Sequence, residues 1–283
     1  MTNFAHLQVH SHYTMLGGTA GVTELAERAA AEELTHLALT DTNALYGVVA
    51  FSKACQRVGV QPILGMTVGV TTPEGLDTGP AHEVGGPGRL VLLATGPDGY
   101  RSLCRLSSLV QGCPEREATL ARGLNWEALK AHRKGLLCLS GGRKGWVERF
   151  VRIGDISSAR RYAGFLAGIY GESAFLSLEL HRPQDQEVAR EVIGLGQRLG
   201  LPSLAVQPIY CLRPQDAPRL RLLAAIDCNC SLDAVPPSVL PADGDAGADV
   251  HWLSPEEVAQ RFASFPHAIA TVGDITVRCK PSL

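Results

Sequence analysis

Two stretches share one pattern, an apolar run that breaks into polar residues and then a glycine turn: residues 7–18 (LQVHSHYTMLGG) and 37–51 (LALTDTNALYGVVAF). Each predicts a short strand whose polar end feeds a turn and a helix. That is how α/β barrels and doubly wound sheets assemble their sites. The polar positions are His10, Ser11 and His12 in the first stretch and Asp41, Thr42 and Asn43 in the second. Imidazole and carboxylate at adjacent strand ends are groups that chelate divalent metals.

Along the rest of the chain, apolar runs predict strands over 4–9, 36–39, 61–70, 89–94, 136–139, 175–180 and 202–206. Helical spacing predicts helices over 23–33, capped by Thr23, over 44–58, ended by Gly59, and over 98–110, 126–132, 146–153, 156–170, 184–199 and 214–226. Two more close the chain, 254–262, with Ser254 as cap and Glu257 three residues on, and 266–279. Three stretches rich in glycine, proline or small residues read as connections: 71–88 as a long hairpin or surface loop, 112–123 as irregular, 233–249 as a loop or strap. Seven strands mostly alternating with helices imply a largely parallel sheet. Count and length favour a closed or distorted barrel whose polar strand ends converge on one rim.

At 283 residues and 45% apolar content, the chain can bury one large core or a barrel with an appendage. A formal charge of −2 excludes a uniform cationic coat and leaves room for a local basic face. No stretch approaches the ~18 uninterrupted apolar residues of a spanning helix. The N-terminal residues lack the charged start and apolar run of a leader, so a soluble, cytoplasmic protein is expected. The eight cysteines are scattered without a CxxC pair and are expected to be reduced. Cys211, Cys228 and Cys230 lack a fourth zinc ligand at sensible spacing.

The two opening stretches, then QPILGMTVGV, RLVLLATGPDGYRSLCRLSS, GLLCLSGG, LELHRPQDQ, LPSLAVQPIY and the closing LSPEEVAQRFASFPHAIATVGDITVRC, follow in the right order across nearly the whole chain. Together they resemble the PHP (polymerase and histidinol phosphatase) domain, more narrowly the N-terminal domain of bacterial C-family DNA polymerases, replicative or error-prone. The resemblance implies an α/β fold, a distorted seven-stranded βα barrel of PHP type, whose rim can hold divalent metals for phosphoester cleavage, in some polymerases as a 3′–5′ exonuclease. It also implies three parts, a barrel over 1–232, a loop or strap over 233–249 and C-terminal helices over 250–283 that close the domain or lead to a polymerase core absent from this chain.

Position by position, this chain departs from the family's metal ligands. His10, Asp41 and His181 remain; Gln8, Thr42, Thr67, Arg89, Gln207 and Ile209 stand where the resemblance places other ligands. Neutral amides and hydroxyls bind cations weakly, and Arg89 repels them. The resemblance therefore implies a degenerate site on a scaffold, with Arg89 pairing with Asp41 in the metal's stead. Enzymatic status stays open, the alternative being a residual metal-dependent phosphoesterase or 3′–5′ exonuclease with one weak manganese, zinc or magnesium ion. Implied partners are the remainder of the polymerase and a proofreading or accessory subunit.

Arg143, Lys144, Arg149, Arg152, Arg160 and Arg161 form a basic run that reads either as a DNA- or partner-contacting surface or as a solvated helix face. The Ser140-Gly141-Gly142-Arg143-Lys144 stretch lacks phosphate-loop spacing and reads as a tight turn. His12 is expected at a solvent-facing turn, and His6, His36, His82, His132, His251 and His267 have no ligand-like partners nearby in sequence.

Overall fold

The computed structural model describes residues 4–76 and 86–280. Six strands hydrogen-bond in chain order: β1 (His36–Leu39), β2 (Gln61–Val70), β3 (Gly88–Ala94), β4 (Leu136–Leu139), β5 (Ala174–Leu178) and β6 (Ser203–Ala205). Residues 6–10 close the ring between β1 and the continuation of β6. On one side Ala38 N–H donates to His6 O at 3.0 Å and Thr40 N–H to Val9 O at 2.8 Å. On the other, Ile209 N–H donates to Gln8 O at 3.0 Å and His10 N–H to Ile209 O at 2.8 Å. This seventh stave is irregular because Val9 N–H turns to the Thr40 hydroxyl, at 2.9 Å, in place of a backbone carbonyl. The result is the expected distorted, seven-stranded α/β barrel.

The sheet is less parallel than its strand–helix alternation predicts. β1–β2, β4–β5 and β5–β6 are parallel, whereas β3 runs antiparallel to both neighbours. Most of the predicted 71–88 loop, and His82, lie outside the described residues. The reversal matters for the site: the start of β3, not its end, sits at the mouth, with Val70 opposite Gly88.

Helices pack around the ring. α1 (Val22–Ala31) begins at Gly21, not Thr23, because Glu24 reaches back to accept the Gly21 N–H at 2.8 Å. α2 (Val48–Val58) starts later than its apolar pattern predicts, after a turn, and ends at Gly59 in the left-handed conformation that glycine tolerates. α3 (Pro97–Gln111) is followed by α4 (Arg116–Arg122), where an irregular connection was expected. α4 buries none of its side chains, so it leaves no apolar stripe to read. α5 (Trp126–Ala131), α6 (Trp146–Arg152), α7 (Ile156–Tyr170), α8 (Asp185–Leu199), α9 (Ala217–Asp227), α10 (Pro255–Arg261) and α11 (Pro266–Arg278) complete the set. α10 carries the predicted capping box between Ser254 and Glu257. One apolar core runs from Phe4 to Cys279, while α9 and residues 235–250 rest on two small satellite clusters. No helix among the described residues is long and apolar enough to cross a membrane.

Candidate functional site: the mouth of the barrel

Asp41 leaves β1 into a buried turn and is held there by the turn after the first stave. Its carboxylate accepts the Ser11 N–H at 2.7 Å, the Ser11 hydroxyl at 2.9 Å and the Thr14 hydroxyl at 2.8 Å. Burial pushes its pKa up, and these donors pull against that shift. The expected Arg89–Asp41 pair does not form. Arg89 enters from β3, with β2 between it and β1, and its guanidinium donates to the Tyr210 hydroxyl at 3.4 Å. Asp41's oxygens are already taken by donors from the turn after the first stave.

His10 is fully buried. Its Nδ1 lies 3.3 Å from the Thr14 hydroxyl and 3.4 Å from that of Thr42, and its Nε2 has no hydrogen-bond partner among the described residues. Burial, reinforced by the charge of Arg89, lowers its pKa to about 3, so the imidazole is neutral. Thr14 thus touches both Asp41 and His10. His181 stands apart, its Nε2 3.4 Å from Glu179 and its backbone N–H donating to Asp185 at 2.9 Å. No hydrogen bond joins it to His10 or Asp41 among the described residues.

The remaining aligned positions have found other work. Gln207 donates to the Asp249 and His251 carbonyls at 2.8 and 3.2 Å, tying down the strap's end. Ile209 closes the ring. Thr67 bridges Thr42 through backbone, and neither its hydroxyl nor the Gln8 side-chain oxygen has a hydrogen-bond partner among the described residues. Among the described residues, no group of three or more His, Cys, Asp or Glu is placed to hold a metal ion. The aligned positions hold two imidazoles, one carboxylate already accepting hydrogen bonds from Ser11 and Thr14, two amides, two hydroxyls, an alkyl group and a permanent cation. Tyr13, Thr14, Thr42, Arg89 and Tyr210 line a mouth pocket of about 270 Å³.

A second cluster escaped the sequence reading. Glu148, Glu179 and Asp185 are buried beside His181, and Arg152 donates to Glu148 at 2.6 Å and Asp185 at 2.8 Å. Burial raises the Glu148 carboxyl, with Glu179 and Asp185 adding to the rise and Arg152 opposing it. The signal available was a carboxylate at position 179 inside an otherwise apolar strand end.

The basic run is not one outward face. Arg143 pairs with Asp243 at 3.5 Å and Asp245 at 3.3 Å. Lys144 donates to Asp243 at 2.5 Å and to the Ser238 carbonyl at 2.8 Å, with its pKa pulled to about 8 by burial. Arg149 is buried over the Trp146 ring and Arg152 bends onto its acids. Arg160 and Arg161 remain exposed. The hydrophilic strap thus docks inward, its acids neutralising cations that read as surface residues in sequence. Gly141 and Gly142 make the predicted tight turn with φ of 82° and 54°. A Cβ on Gly142 would fall 1.9 Å from a Glu179 carboxylate oxygen. His12 is exposed, as expected.

Comparison with known proteins adds three findings. The PHP domain family model matches residues 6–183. The chain is 29% identical over 279 residues to DNA polymerase III subunit alpha of Bacillus subtilis strain 168, covering 98% of this chain and 23% of that protein. It is 31% identical over 302 residues to the error-prone DNA polymerase of Symbiobacterium thermophilum, covering 99% and 25%. The chain therefore spans about a quarter of the length of these curated relatives. Among solved structures, an amidohydrolase from Chromobacterium violaceum, with bound sulfate and no metal, aligns with 73% of this chain and 87% of its own, at 13% identity and a TM-score of 0.46.

Proposed function

Since the chain belongs to the PHP domain family, we propose that it serves as the N-terminal PHP domain of a C-family DNA polymerase, in replication or translesion repair synthesis, and that its role there is that of a scaffold. The observation that carries this reading is Arg89: a permanent cation occupies the mouth while Asp41 is saturated by Ser11 and Thr14. A mouth wired in this way holds its own staves together and offers little to a cluster of divalent ions. On this reading residues 1–232 are the barrel, 233–249 a strap, and 250–283 the closing helices that lead toward the rest of a cytoplasmic polymerase. The remainder of that polymerase and a proofreading or accessory subunit are the partners, with Arg160 and Arg161 left to contact DNA.

The test is manganese titration of metal-stripped protein, followed by a primer-strand cleavage assay. Expected are no high-affinity uptake and no cleavage. Manganese-stimulated 3′–5′ cleavage abolished by His10→Ala would overturn the scaffold role. The competing reading, a residual phosphoesterase with one ion at His10, Asp41 and His181, draws on one observation: His10 Nε2 and His181 Nδ1 are buried without hydrogen-bond partners among the described residues.

A further inference from the structure

The mouth pocket is ringed by large apolar side chains that the fold leaves in solvent. Met15, Tyr46 and Val239 line it at 70%, 56% and 41% exposure. They come from three separate segments: the turn after the first stave, the turn after β1, and the strap. A single exposed apolar residue is ordinary, whereas several around one opening form the kind of patch that marks an interaction site. Next to Met15 the backbone holds Leu16 in the left-handed conformation, with φ of 56°, which side chains other than those of asparagine and aspartate rarely adopt. Strain of this sort is concentrated where a protein holds a ligand.

Charge in the same pocket is unbalanced. Arg89 and Arg116 both line it, and neither has an ion pair among the described residues. Arg89 donates to the Tyr210 hydroxyl. Arg116 donates to Gln111 Oε1 at 2.8 Å, and the Gln111 amide donates in turn to the Asn43 carbonyl at 2.9 Å. A chain of neutral partners thus holds the second guanidinium at the rim with its charge unmatched. One carboxylate, Asp227, lines the pocket, and it pairs with neither arginine. At about 270 Å³ the cavity falls short of the roughly 300–1,000 Å³ of small-molecule sites and suits a side chain inserted from another polypeptide.

We propose that the mouth is a docking site for a partner polypeptide segment that inserts one large apolar side chain flanked by carboxylates. The apolar side chain packs among Met15, Tyr46, Leu120 and Val239, and the carboxylates meet Arg89 and Arg116. Charge complementarity selects this occupant. Two arginines without a counter-charge favour an acidic segment, and a guanidinium takes a carboxylate in bidentate fashion. A bare phosphate would have no use for the apolar ring, and a purely apolar segment would leave both guanidinium groups covered and unpaired. Methionine, tyrosine and arginine are also the residues that protein interfaces favour. The proposal deepens the scaffold reading and rests on it, because a mouth without catalytic ions is free to hold a partner.

The experiment is selection of a random twelve-residue peptide library against the immobilised whole chain in EDTA, followed by fluorescence anisotropy with the enriched peptide as probe. Expected are peptides with a leucine, methionine or aromatic residue beside aspartate or glutamate. Their affinity is expected to fall about tenfold in Met15→Ser and again in Arg116→Gln. Both residues are exposed, so these variants keep the fold; Val277→Ser and Arg160→Gln are expected to bind as the parent does. No enrichment over the bare support, enrichment of basic peptides, or unchanged affinity in Met15→Ser and Arg116→Gln would each overturn the proposal. So would self-association of the chain that Met15→Ser abolishes, which would give the rim to a second copy. Manganese uptake by the same protein separates the two readings: failed selection without uptake removes only the docking site, whereas high-affinity uptake removes the scaffold reading beneath it.

Discussion

The imidazole of His10 lies flat on the ring of Tyr210, with 4.2 Å between centroids and 8° between planes. Held there beside Arg89, it cannot take up a proton without burying a second positive charge. His6, packed between the rings of Phe4 and Trp252, is likewise lowered to about 3, in its case by burial.

Acid should therefore unfold the protein through these two groups. Their folded pKa lies below the unfolded value of about 6.5. Above that value both states are neutral and the groups contribute nothing to the pH dependence. As pH falls from about 6.5 toward 3, the unfolded chain gains protons that the native state refuses, and stability is lost, by about 2 kcal/mol per histidine at pH 5. Urea unfolding at pH 7 and pH 5 is expected to show His10→Gln losing about 2 kcal/mol less than the parent. Asp41, raised by burial, works in the opposite direction and is common to both proteins. Equal losses in the two proteins would contradict a neutral His10.

Arg152 is expected to matter far more than its exposed neighbour Arg160. Replacing Arg152 with Met strands Glu148 and Asp185, both nearly inaccessible, beside Glu179. Breaking a buried pair costs about 3–5 kcal/mol, and partial exposure of the arginine itself reduces this to about 2 kcal/mol. Arg160→Met is expected to stay within about 0.5 kcal/mol. Chemical denaturation of the two variants checks the ordering.

The strap should open when its anchor is neutralised. Asp243→Asn keeps the side chain's shape but leaves Lys144 buried without its counter-charge and weakens the hold of Arg143. Burial already favours the neutral amine, so the ammonium escapes by local opening, at a cost to the closed strap of about 3 kcal/mol. Hydrogen exchange at residues 238–245 is expected to quicken by about a hundredfold, while β2 and β4 keep their protection. Unchanged exchange in the strap would show that its apolar contacts suffice.

Gly142→Ala is expected to cost about 2 kcal/mol or more. The turn holds a φ of 54°, and the added methyl would meet the Glu179 carboxylate, which Gly142 now admits against the backbone. Gly164→Ala, in the middle of α7 with open space around it, is expected to be neutral or stabilising. Thermal melts of the pair separate the effect of the site from that of the residue type.

What the sequence revealed was what its local patterns dictate. β2 and β4 occupy the predicted 61–70 and 136–139, β4 as a continuous apolar run and β2 as a largely apolar one, each following a glycine. α4 went unread because a helix with no fully buried side chain, only Leu120 leaning on the core, has no apolar stripe to show. The Arg89–Asp41 pair failed for want of topology: nothing in the two residue types says that β2 lies between them. The Lys144–Asp243 and Arg143–Asp245 pairs span about a hundred residues, so a cationic run and an acidic strap each looked like surface. Glu179 was visible as a charge within an apolar strand end, and its neighbours Glu148 and Asp185 became a cluster only when α6 and α8 met over it.

The stave formed by residues 6–10 is the earliest part of the barrel to be synthesised, and its second flank, Ile209, emerges roughly two hundred residues later. Until then one edge of a nascent half-ring has exposed amides and carbonyls that invite pairing with other chains. A ribosome stalled before position 209 would thus display an adhesive edge. Recruitment of a chaperone to the nascent chain is expected to persist until that residue clears the exit tunnel.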